Sequence, residues 1–164
     1  MQSMRLSKYE KRFGIGPIAG LIGLFLLGLL LLLDRKLGHI EILNQPRTIK
    51  IFGFVLIGCW VCWQLWTIKT IQSWWRNSRL CTSGPFRFVR HPMYAGGLFL
   101  ANPGIALTLN SWIILLLPIL LYPIWSILVQ KEEKMMTAIF GEEYKKYASR
   151  TGRFLPRLSR RQDA

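Results

Sequence analysis

Apolar residues run in blocks long enough to cross a bilayer, broken by short polar stretches. Ile15 to Leu33 holds 19 residues without a charge, and Ile51 to Ile68 holds 18 interrupted only by Gln64. At a rise of about 1.5 Å per residue such lengths match the ~30 Å hydrocarbon core, so both predict transmembrane helices. Met93 to Leu109 and Trp112 to Val129 are two further spans, separated by little more than Asn110-Ser111, which predicts a tight helical hairpin. Beyond them Met136, Ile139, Phe140, Tyr144 and Tyr147 recur at helical spacing, the signature of an amphipathic helix lying against the membrane or the bundle. The expected fold is all-α: an integral membrane bundle of about four spans (15–33, 51–68, 93–109, 112–129), then a C-terminal segment 130–164, in one domain.

Composition agrees with this pattern, since 51% of 164 residues are hydrophobic and only 18% are charged, unlike an ordinary soluble domain. The first span follows basic residues Arg5, Lys8, Lys11 and Arg12, so a secretory signal peptide competes with a retained helix. A retained helix is expected, because the run exceeds a typical signal core and leads into Asp34-Arg35-Lys36 without a small-residue cleavage site. Of the 22 Lys and Arg residues, 18 fall on one side of the expected spans and four (Arg35, Lys36, Arg47, Lys50) on the other. The positive-inside rule then puts both termini in the cytoplasm. The net charge of +14 flanks spans, where it faces anionic headgroups, and no nucleic-acid motif accompanies it. Cys59 and Cys62 form a C-x-x-C inside an apolar span with no second ligand pair at metal-site spacing, so packing is expected there rather than a metal or redox centre.

Two polar motifs stand where apolar spans meet charged segments, and the hairpin returns them to one side. The first is Arg90-His91-Pro92-Met93-Tyr94, with Pro92 fit for a helix's first turn. Arg90 could simply snorkel to phosphates, and Tyr94 could join an interfacial aromatic belt. The second is Glu132-Glu133, followed by Phe140-Gly141-Glu142-Glu143-Tyr144. Glu133 lies three residues before Met136 and seven before Phe140, along the apolar stripe, where a carboxylate is costly unless a cation or donor meets it. Glu142 and Glu143 read instead as a solvated face pairing with Lys145 and Lys146. An acidic pair, an Arg-His pair and aromatic faces at one membrane edge suit S-adenosylmethionine, whose amino group wants a carboxylate, whose carboxylate wants Arg or His donors, and whose sulfonium rests on an aromatic face. No glycine-rich strand-to-helix turn indicates a Rossmann methyltransferase.

From Gln72 to Pro156 the chain resembles the isoprenylcysteine carboxyl methyltransferases and the related phospholipid methyltransferases, integral-membrane enzymes that use S-adenosylmethionine. The resemblance rests on Thr82-Ser83-Gly84-Pro85-Phe86, Arg90 through Gly96, Asn110, Glu132-Glu133, Phe140 through Tyr147, and Arg150-Thr151-Gly152-Arg153 up to Pro156. It implies cofactor contacts from His91, Pro92, Met93 and Tyr94, from Glu132, and from Gln72, Ser78, Arg79, Leu80, Cys81 and Phe86, and the charge argument adds Arg90 and Glu133 to them. Glu133 and His91 are candidate proton acceptors, and Asn110, Lys131, Arg150 and Arg153 candidate acceptor-binding residues. The arginine that prenylcysteine enzymes carry one turn before the acidic pair is replaced by Leu128. The expected acceptor is a lipophilic acid or an aminolipid reached from the membrane. Two other readings remain, an NADPH-dependent membrane reductase of the sterol-reductase type and a non-catalytic lipid-binding protein.

Overall fold

The computed structural model describes residues 16–44, 46–75 and 79–157. Its helices are α1 Gly16–Lys36, α2 Pro46–Trp75, α3 Pro92–Gly96, a π-helical segment Gly97–Ala101, α4 Asn102–Leu109, α5 Leu116–Phe140 and α6 Glu142–Arg150, with a 3-10 turn at Gly84–Arg87. Among the described residues, β pairing is limited to two isolated bridges, Glu41 with Ser111 and Val89 with Gly152.

Two helices, Gly16–Lys36 and Pro46–Gln72, are long and apolar enough to cross a membrane. Leu21, Leu24 and Phe25 on α1, with Phe52, Phe54 and Val55 on α2, project outward, an arrangement suited to lipid rather than water. Cys59 and Cys62 are exposed with them, and among the described residues no group of three or more ligating side chains could hold a metal. The core lies between α1, α3 with the π-helical segment that continues it, and α5, built on Ala19, Ala95, Leu98, Leu117, Leu121, Trp125 and Val129, and Trp125 Nε1 donates to the Ala19 carbonyl at 3.3 Å.

The stretch expected as a third span is helical from Pro92 to Leu109, but its hydrogen-bond pattern changes at Gly97. Glycines there and beyond make close packing possible. A Cβ on Gly96 would stand 2.7 Å from the Trp63 ring, and one on Gly53 would stand 2.6 Å from the Thr108 backbone nitrogen and 2.8 Å from the Gly104 oxygen. The α2 and α4 backbones therefore touch through small residues, as membrane helices do when they pack closely. Gly104→Leu is expected to force them apart and cost about 1–3 kcal/mol, read as a lower melting temperature in detergent. Gly58→Leu, with nothing within 4 Å of its site, should leave it unchanged.

The fourth stretch departs from expectation at both ends. The helix begins at Leu116 rather than Trp112, because the backbone before it is engaged with the 40–43 loop. Trp112 N–H donates to the Ile40 carbonyl at 3.1 Å, Ile42 N–H to the Asn110 carbonyl at 3.3 Å, and Ser111 Oγ to the buried Asp34 carboxylate at 2.6 Å. At the other end α5 continues past Val129 to Phe140, so the acidic pair rides on the same helix as the apolar run. The single amphipathic helix expected through Tyr147 is instead two helices. They break at Gly141, whose φ of 55° lies in the left-handed region that glycine tolerates.

Candidate functional site

Three pieces of chain meet at one end of the bundle: residues 90–94 entering α3, Glu132 and Glu133 on α5, and the strap 151–154 after α6. Pro92 opens α3, where its missing N–H leaves nothing unpaired, and its carbonyl accepts from Trp63 Nε1 at 2.7 Å, fixing the entry of α3 against α2. The strap is laid alongside by two backbone bonds, Arg90 N–H to the Gly152 carbonyl at 2.8 Å and His91 N–H to the Arg153 carbonyl at 3.1 Å. Tyr147 Oη donates to the Phe86 carbonyl at 2.7 Å, so α6 is anchored to the turn before α3.

Glu133 sits at the centre. Arg90 Nε donates to its Oε1 at 2.9 Å, and Arg153 grips both oxygens, Nε at 3.2 Å and Nη2 at 2.7 Å, in the fork geometry that a lysine cannot reproduce. His91 Nε2 lies 3.3 Å from the same Oε1 while its Nδ1 lies 3.4 Å from Glu132 Oε2, and Tyr94 Oη donates to Glu132 Oε1 at 3.0 Å. Arg90 also gives Nη1 to the Ala148 and Thr151 carbonyls at 2.7 and 2.6 Å. Its charge is thus spent inside the protein, which makes it a positioning residue for Glu133 and the strap.

These groups are largely shielded from water, with Glu133 16%, Arg90 12% and His91 9% exposed at the side chain. Burial alone would raise the Glu133 carboxyl, but hydrogen bonds from His91 and Arg153 and the Arg90 charge hold it far below the usual carboxylate range. Burial alone would lower His91, but the two carboxylates outweigh it and push the imidazole above its ordinary 6.5. Glu133 is therefore a poor base at neutral pH, and His91 holds its proton to higher pH than a free imidazole. Burial pushes the Tyr144 phenol up to about 12 and the Cys81 thiol upward, so neither is an ionised group of the site.

An aromatic wall closes one side. Phe154, only 3% exposed, packs edge-on against His91 at 6.1 Å and Tyr122 at 5.7 Å between ring centroids, and Tyr94 meets Trp125 at 5.4 Å. Sequence patterning alone does not point to Tyr122, Trp125 or Phe154. The spacing of Tyr94, Trp125 and Phe154 along the chain carries no periodic signal, and only the strap's bridge to residues 90–91 brings them together.

Among the sequence candidates, Arg90, His91, Tyr94, Glu132, Glu133 and Arg153 form this cluster. Leu80, Cys81 and Phe86 are buried in the preceding loop, Met93 projects outward, and Gln72 and Arg79 are exposed. Ser78 lies outside the described residues. Lys131 and Arg150 are exposed and do not join the bonded cluster, and Glu142 pairs with Lys145 at 2.6 Å on a solvated face. Asn110, expected to bind the acceptor, is at the opposite end of the hairpin. There it takes a left-handed turn conformation, its Oδ1 accepts from Ile42 and Leu43 N–H at 3.2 Å each, and its Nδ2 donates to the Leu43 carbonyl at 3.0 Å. With its side chain committed to that loop, Asn110 is a structural clasp.

The phospholipid methyltransferase family model matches residues 48–143. The chain belongs to the phospholipid methyltransferase family. The match runs from α2 through Glu132-Glu133 and includes Arg90-His91-Pro92-Met93-Tyr94, while Arg153 and Phe154 lie beyond it. No curated protein and no solved structure matches the chain. Membership makes this a membrane methyltransferase of the class that acts on lipid.

Proposed function

We propose that the chain transfers a methyl group from S-adenosylmethionine to a lipophilic acceptor, by preference the amine of a lipid headgroup, at the cytoplasmic edge of a four-span bundle. The observation that carries this reading is the bonded set Tyr94–Glu132–His91–Glu133 at the end of the apolar helices, within the family-matched segment.

The donor set fits the cofactor's amino-acid end. Glu132, oriented by the Tyr94 hydroxyl and by His91 Nδ1, is the carboxylate for an amino group. The Tyr94, Trp125 and Phe154 rings supply faces for a sulfonium. S-adenosylmethionine brings an already activated methyl group, so alignment and exclusion of water are the protein's contribution. The buried wall and the fixed α3 entry serve both.

S-adenosylhomocysteine is expected to raise the melting temperature of the purified chain, and labelled S-adenosylmethionine to label a lipid in membrane extracts. A shift with NADPH instead would indicate a reductase, and no shift with either a lipid-binding protein. For topology, the third and fourth spans are Pro92–Leu109 and the apolar first part of α5, with both termini cytoplasmic. In a background lacking the three native cysteines, a thiol at Asn44 should react with an impermeant reagent in intact cells and one at Ser83 only after lysis. The reverse pattern overturns the orientation.

A further inference from the structure

Beside the charged cluster, a shallow groove of about 400 Å³ is lined by Gln130, Glu133, Lys134, Thr137 and Arg153. The first four recur at i, i+3, i+4 and i+7, so they form one face of α5, and Arg153 of the strap is the opposite wall. The Glu133 charge is already met by Arg90, Arg153 and His91. With Lys134 added the surroundings carry an excess of positive charge. Arg153 uses Nε and Nη2 on Glu133, and its Nη1 reaches only the Ser126 carbonyl at 3.5 Å, which leaves donor capacity facing the groove.

The same face continues down the apolar part of the helix. Leu116, Leu120, Pro123 and Ile127 precede Gln130 and Lys134 at alternating spacings of four and three, and all are exposed, Ile127 by 64%. A greasy stripe therefore leads without a break into a cationic groove at the depth where α5 changes from apolar to charged residues. That is the profile of an amphiphile with a hydrocarbon chain and an anionic head.

We propose that this groove is the headgroup site of a glycerophospholipid: the phosphodiester lies between Lys134 and Arg153, one acyl chain runs along Leu116, Leu120, Pro123 and Ile127, and Lys134 determines specificity for a phosphate-bearing acceptor. The proposal deepens the methyltransferase reading by naming the acceptor's anchoring group. An anion-binding site also suits the carboxylate of the cofactor, and the two sources are separable by experiment.

The test uses the full chain in detergent and compares retention of phosphatidylethanolamine with that of a diacylglycerol of the same chains by native mass spectrometry. The unmodified chain should retain the phospholipid preferentially. Lys134→Glu should weaken that retention about tenfold, while Lys146→Glu, also exposed but on α6, should not. Where methylation is measured, Lys134→Glu should raise the KM for phosphatidylethanolamine and leave that for a phosphate-free long-chain amine, and the Kd for S-adenosylhomocysteine, unchanged. Equal retention of phospholipid and diacylglycerol, or a Lys134→Glu effect on S-adenosylhomocysteine rather than on lipid, overturns the proposal. Lys134-dependent phospholipid retention without S-adenosylhomocysteine binding upholds the groove and removes the methyltransferase reading instead.

Discussion

Glu133→Ala is expected to cost stability and cofactor binding together. Its carboxylate is the shared acceptor of Arg90, His91 and Arg153, so its removal strands two guanidinium groups and favours repulsion between them. Removing one partner of a buried ion pair costs about 3–5 kcal/mol, and with the group still partly open to water the low end, roughly 3 kcal/mol, applies. For a chain of this size that is on the order of 6–12 °C in melting temperature. The strap should loosen as well, since Arg153 would lose both of its bonds to Glu133. Glu132→Gln separates the two effects: the amide oxygen still accepts from Tyr94, so the fold should hold while S-adenosylhomocysteine affinity drops at least tenfold with loss of the charge. Calorimetric titration and a melting curve on each variant, with Glu142→Ala as the solvated comparison, decide the matter. A stable Glu133→Ala protein, or a larger loss from Glu142→Ala, would show that the cluster is not what holds this end of the bundle.

Much of that cluster is legible in the amino-acid sequence, because a charge beside an apolar run must be met by something. Glu133 on an apolar stripe announces a missing partner, and the hairpin brings it to the same side as Arg90, a residue that by itself reads equally well as snorkelling to phosphates. The helices α1 and α2 are legible because bilayer thickness imposes a length. Whatever depends on pairing across the chain leaves no such mark. The stretch from Trp112 to Leu115 looks helical because it is apolar, yet Asp34 takes the Ser111 hydroxyl beside it and the Ile40 carbonyl takes the Trp112 N–H. Phe154 sits in a short tail of mixed polarity with no period of its own, and its burial follows from two backbone bonds to residues 90–91 that no local pattern encodes. Gly141 looks like one residue of a longer helix, whereas its backbone conformation ends α5 and re-aims the chain into α6.

The pH dependence of turnover will tell an amine acceptor from an acid. A carboxylic acid is ionised throughout the working range and needs no base, so its methylation should be nearly flat above about pH 5. A lipid ammonium must lose a proton first, and the acidic pair offers little help: Glu133 is held far below the usual carboxylate range, while His91 keeps its proton to higher pH than a free imidazole. The rate with phosphatidylethanolamine should therefore rise with pH, by close to tenfold per unit at first. The imidazolium's favourable contacts with Glu132 and Glu133 are complete below 6.5 and are lost as pH climbs through the raised value. Binding at the amino-acid end should weaken over that window, turning the rise into a bell with its descending limb on the alkaline side. His91→Gln, which has no proton to lose there, should abolish the descending limb while lowering affinity at neutral pH. A prenylcysteine analogue should be methylated at under about a tenth of the phosphatidylethanolamine rate, a gap that one missing charged contact is enough to produce. Leu128 is a half-buried apolar residue packed on the core, at the position where the prenylcysteine enzymes that the chain resembles carry an arginine, so that position offers no cation to the analogue's carboxylate. A flat profile together with brisk prenylcysteine turnover would reassign the chain to carboxyl methylation.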